Sequence, residues 1–112
     1  MVKQRLAPPT AQIAEMVRRI VQHCDPDQII LFGSQARGTA HADSDVDLLV
    51  VMPVEGSKRA KQVELRCVLH DICVPKDIIV IRPEELERQR DIVGTIVWPA
   101  VREGKILYAR SE

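Results

Sequence analysis

Apolar and polar positions along this chain alternate between two periods. Ile29-Ile30-Leu31-Phe32 is a fully apolar run that stops at Gly33, as a buried strand should. Leu48-Leu49-Val50 follows the acidic stretch Asp45-Val46-Asp47, Ile78-Ile79-Val80-Ile81 follows Asp77, and Lys105-Ile106-Leu107-Tyr108 reads as a short extended segment packed against the rest. Between these runs the period lengthens. Beyond Pro8-Pro9, Thr10 can cap a helix to about Cys24, with Ile13, Val17, Ile20, Val21 and Cys24 on its apolar face and Asp25-Pro26-Asp27 at its end. Ser57 can cap a second helix through about His70, with Val63 and Cys67 expected to face inward. Arg82-Pro83-Glu84-Glu85 reads as a third helix start, with proline near the first turn and acids that complement the helix dipole. Ile92, Val93, Ile96, Val97, Ala100 and Val101 form a further apolar stripe ending before Gly104, and Pro99 predicts a kink or break near residues 95–98. The fold class expected is α/β (α+β), a small mixed sheet with helices packed on it.

The candidate chemistry sits at the strand ends. Gly33 allows close backbone approach to a ligand, and Ser34 suits a helix N-cap whose following N–H groups would face an anion such as a nucleotide phosphate. Arg37, one turn beyond, adds a candidate phosphate contact by charge. Asp45 and Asp47 open the second strand on one face with Val46 on the other. Their stems are roughly 6.6 Å apart, a span that can bracket two cations about 3.5–4 Å from each other. Hard oxygen ligands open to water favour Mg²⁺ shared with substrate phosphates. Gly33 ends one strand and Asp45 starts the next, so they can meet only if those strands are antiparallel. If the third strand lies parallel to the second through a right-handed helical crossover, Asp77 joins Asp45 and Asp47 on one rim. Asp71 competes with Asp77 for that place, but Ile72-Cys73-Val74-Pro75 puts it at a helix end or in a loop. Taken singly, each feature has an ordinary reading in turn or helix-start chemistry; the joint pattern, a phosphate cradle facing a divalent-metal site, is far rarer.

Composition narrows the partners. The 112 residues carry equal numbers of acidic and basic side chains, and no basic run traces a phosphate backbone, which disfavours extended nucleic-acid binding. Cys24, Cys67 and Cys73 are odd in number, lack CxxC pairing and sit among apolar neighbours, so buried reduced thiols are expected. The length suits one domain over residues 1–112. With no signal peptide and no bilayer-spanning apolar run, the expectation is a cytoplasmic protein without membrane association.

The stretch from Leu31-Phe32-Gly33-Ser34 through Ala36-Arg37-Gly38-Thr39 to Asp45-Val46-Asp47-Leu48-Leu49-Val50 resembles the signature of the DNA polymerase β-like nucleotidyltransferase superfamily, most closely its minimal nucleotidyltransferase (MNT) branch. That resemblance implies a polymerase β palm-like fold, Asp45, Asp47 and Asp77 as metal ligands for about two Mg²⁺ ions, ATP as substrate, and Asp77 as acceptor of the attacking hydroxyl's proton. It also implies a partner, a small helical HEPN-type toxin, with this chain as the antitoxin that transfers AMP to one of its hydroxyls. A binding module that masks its partner and a transferase for small molecules such as aminoglycosides are the alternatives, and the apolar stripes allow homo- or hetero-oligomers. Two positions depart from the pattern. Gln35 stands where many relatives carry a basic residue, and Lys76 sets an ammonium beside Asp77.

Overall fold

The computed structural model of the protein describes residues 10–33 and 45–110. In chain order the described elements are α1 (Thr10–Cys24), β1 (Gln28–Phe32), β2 (Val46–Val51), α2 (Lys58–Val68), β3 (Lys76–Ile81), α3 (Pro83–Gln89), α4 (Val97–Glu103) and β4 (Lys105–Ala109). The strands form one mixed sheet in the order β3-β2-β1-β4, with β1 antiparallel to both of its neighbours and β2 parallel to β3. The parallel step needs a crossover, and α2 supplies it.

The two faces of the sheet carry separate cores. Ile29, Leu31, Val46, Leu48, Val50, Ile78 and Val80 pack with Met16 and Ile20 of α1 and with Leu65 and Leu69 of the α2 region. On the opposite face Ile30, Phe32, Leu49, Val51 and Ile81 pack with Leu86 of α3 and with Val97 and Ala100 of α4. Because side chains alternate, consecutive strand residues enter different cores, and the central strands read as continuous apolar runs for that reason. In β2 every residue is buried except Asp47.

Helix ends follow their sequence cues. Ser57 accepts a hydrogen bond from the Ala60 N–H and caps α2. Glu85 accepts one from the Arg82 N–H at the start of α3. On the edge strand β3 the Val80 N–H is covered by the side-chain oxygen of Gln62, which removes one open ladder position. Arg19 of α1 donates to the Val68 carbonyl and to Asp71, tying the first helix to the end of the second.

Three expectations are corrected. Val63 is exposed and so is Cys67; the buried positions are Leu65 and Leu69, because residues 63 and 65 lie about 200° apart on a 3.6-residue period. The break expected near residues 95–98 is found, with α4 starting at Val97 and Pro99 in its first turn, where a missing N–H costs nothing, but Ile92, Val93 and Ile96 of the expected apolar stripe are exposed on a turn containing Gly94 at φ +102°. Gly104 caps the C-terminus of α4 as expected, in extended conformation, and glycine is needed there for space, since an added Cβ would lie 2.7 Å from Ile30 Cγ2. All three cysteines are free thiols, but Cys67 and Cys73 are exposed and Cys24 half-buried. No helix among the described residues is long and apolar enough to cross a membrane.

Candidate functional site

The antiparallel pairing of β1 with β2 sets Phe32 opposite Asp47, so the residue after Phe32 leaves the sheet beside that carboxylate. That residue is Gly33, with φ +76°. An added Cβ there would overlap Asp47 Oδ2 and lie 3.3 Å from Cγ. Glycine therefore serves twice at this corner. It takes the left-handed backbone without strain, and it leaves room for the carboxylate.

Asp77 reaches the same end of the sheet through the parallel ladder, where it is the direct register partner of Asp47. By alternation both belong to the face of Leu49, Val51, Ile79 and Ile81, opposite α1 and α2. A hydrogen bond of 2.8 Å from the Val46 N–H to the Pro75 carbonyl continues the ladder at this end. Asp45 immediately precedes β2 and is exposed. The three backbone positions thus lie at one end of the sheet. Among the described residues no trio of His, Cys, Asp or Glu is grouped closely enough to hold a metal ion. The Asp77 carboxylate is instead engaged by Arg66 of α2, at 2.9 Å from the guanidinium.

Ser34 and Arg37 lie outside the described residues. Lys76 points away from the carboxylates, its ammonium donating to the carbonyls of Ile72 (2.8 Å) and Val74 (3.1 Å). Asp71 is held by Arg19, whose hydrogen bonds keep its carboxyl below the usual aspartate range. Tyr108 donates its hydroxyl to Asp25 at 3.0 Å, near the opposite end of β1 from Gly33, and so serves packing. A cavity of about 230 Å³ is lined in part by Gln28, Ile30, Leu86, Arg90 and Gly104 and by none of Gly33, Asp45, Asp47 and Asp77. Arg66 escaped the sequence reading. Nothing in its spacing from Asp77 marks it, and the one available signal is its place next to the inward-facing Leu65.

The nucleotidyltransferase domain profile matches residues 11–99, most of the chain and all of the Gly33, Asp47 and Asp77 region. The chain belongs to the nucleotidyltransferase family. No curated protein matches it significantly in sequence. Among solved structures, a Sulfolobus solfataricus protein described as a candidate nucleotidyltransferase is similar at TM-score 0.62 and 20% identity, over 93% of this chain and 88% of that one. A toxin–antitoxin with AMP-PNP matches at TM-score 0.52 and 21% identity, over 87% of this chain and 73% of that one. A toxin–antitoxin MntA-HpeT mutant, with glutamates replacing two aspartates spaced two residues apart, matches at TM-score 0.57 and 21% identity, over 90% and 73%. At these identities the likeness establishes a shared fold.

In this nucleotidyltransferase the donor set suits a divalent cation. Carboxylate oxygens at strand ends are hard ligands, and the missing Cβ of Gly33 keeps the backbone close to Asp47 without covering it. The arrangement fits magnesium provided that Asp77 exchanges Arg66 for the ion.

Proposed function

We propose that this nucleotidyltransferase transfers AMP from ATP to a hydroxyl of a partner protein in a magnesium-dependent reaction, and that the partner is a HEPN-type helical toxin for which this chain is the antitoxin. Support comes chiefly from one observation, the Gly33 backbone lying against the Asp47 carboxylate while Asp77 stands in register with Asp47. Likeness to toxin–antitoxin complexes, one of them with AMP-PNP, supports the nucleotide and the kind of partner.

In the proposed reaction the acceptor oxygen forms a bond to the α-phosphorus of ATP, the bond from that phosphorus to the bridging oxygen breaks, and pyrophosphate leaves. Gly33 and Ser34 hold the triphosphate through backbone N–H groups, with Arg37 as a further phosphate contact. Asp45, Asp47 and Asp77 would hold magnesium, which when bound neutralises phosphate charge. Asp77 takes the proton of the acceptor hydroxyl. Positioning and charge neutralisation carry most of the catalysis in such transfers, and the partner supplies the acceptor.

The test is intact-mass measurement of the co-purified partner after incubation with ATP and Mg²⁺. An AMP-sized increase is expected; its absence from a confirmed complex of folded proteins contradicts the proposal. A second reading, neutralisation by masking without chemistry, is favoured by the engagement of Asp77 with Arg66. Asp45→Asn with Asp47→Asn separates the two, because masking survives the loss of these carboxylates and transfer does not.

A further inference from the structure

Asp77 and Arg66 approach each other around the open edge of the sheet. β3 is an edge strand, α2 packs its Leu65 against one face, and Asp77 shares strand parity with Ile79 and Ile81 on the other. The Arg66 side chain spans that edge to reach Oδ1 of Asp77 at 2.9 Å, with about half of each side chain exposed (54% and 48%). Its guanidinium therefore supplies one positive charge to a carboxylate whose register neighbour is Asp47. Among the described residues no three His, Cys, Asp or Glu side chains are grouped closely enough to hold a metal ion.

We infer that Arg66 is a positioning residue that holds Asp77 in the metal-free protein and must release it when a divalent cation binds. This inference rests on the proposed metal role of Asp45, Asp47 and Asp77. A guanidinium and a divalent cation both seek the same carboxylate, so each weakens the other's hold. An exposed arginine–carboxylate pair is worth up to about 1 kcal/mol, or up to about five-fold in an equilibrium constant, so the exchange needs little energy. Arg66 thus keeps the acidic rim from collapsing into mutual repulsion when empty, and tunes how much free cation is needed to assemble it.

The test is Mn²⁺ titration of the chelator-treated full chain, followed by electron paramagnetic resonance of the free ion, with circular dichroism to check the fold. Arg66→Gln should bind Mn²⁺ about two- to five-fold more tightly than the unaltered chain, the range set by an exposed ion pair. Arg66→Lys, which retains a charge, should fall between the two. Adding Arg66→Gln to Asp77→Asn should leave affinity unchanged, because general surface electrostatics would act in either background whereas competition for Asp77 cannot. Unchanged or weaker binding in Arg66→Gln overturns the inference, as does tightening that persists in the Asp77→Asn background. If neither the unaltered chain nor Arg66→Gln binds the ion saturably, the metal reading itself fails and takes the inference with it. Saturable binding that ignores Arg66 sinks the inference alone.

Discussion

The α-carbon of Gly33 lies so close to the carboxylate of Asp47 that a methyl group at residue 33 would overlap Oδ2 and sit 3.3 Å from Cγ. The same residue has φ +76°, so any side chain there meets two separate penalties. Gly33→Ala should lose about 1–2 kcal/mol of stability from the left-handed backbone alone. It should also weaken binding of magnesium and ATP by displacing Asp47. Urea denaturation and a nucleotide titration check the two effects, and a variant unaltered in both contradicts the described corner.

Leu65 is fully buried and Val63 is 54% exposed, although they are two residues apart on α2. Leu65→Ala should cost about 2–5 kcal/mol, as for other buried leucines. Val63→Ala should stay within about 0.5 kcal/mol of the unaltered chain. Comparable losses at the two positions would mean that α2 is rotated from the orientation that places Arg66 over the β3 edge.

Glu85 is hydrogen-bonded by the Lys58 ammonium at 2.7 Å and by the Arg82 N–H at 2.9 Å. The lysine contact, with the backbone bond second, holds its carboxyl below the ordinary glutamate range. A depressed folded-state value means that the stabilising contribution is complete above the unfolded value of about 4.3 and is lost as pH falls through the folded one. Glu85→Gln should therefore be less stable than the unaltered chain at neutral pH, with the difference shrinking as the solution is acidified below about pH 4. Thermal unfolding across that range checks it; a gap that widens on acidification has the wrong sign.

Much of the fold was legible because the strands are buried on both faces. Runs such as Ile29 to Phe32 and Ile78 to Ile81 have no polar residue to blur them, and Ser57 and Pro83 mark helix starts through backbone chemistry that acts locally. The antiparallel and then parallel strand order followed from requiring Gly33 and Asp77 to reach the same end as Asp47. What failed depended on tertiary packing. Periodicity allowed Ile92, Val93 and Ile96 to share the stripe of Val97 and Ala100, but beyond the break expected at Pro99 these three are exposed among the described residues. Cys73 lies between Ile72 and Val74 in sequence and Cys67 precedes Val68, yet both are exposed. At the site, backbone register brought Asp47 and Asp77 together as expected, while the grip of Arg66 on Asp77 arises from a helix crossing a sheet edge, which spacing alone does not encode.

The central claim is that the acidic strand ends beside Gly33 bind a magnesium–nucleotide, and calorimetric titration with a non-hydrolysable ATP analogue tests it most directly. Saturable binding should appear with Mg²⁺, vanish with chelator, and weaken about ten- to a hundred-fold in Asp47→Asn, the loss expected when a charged ligand group is removed. Binding that ignores magnesium, or an Asp47→Asn variant that binds as tightly as the unaltered chain, would contradict the account.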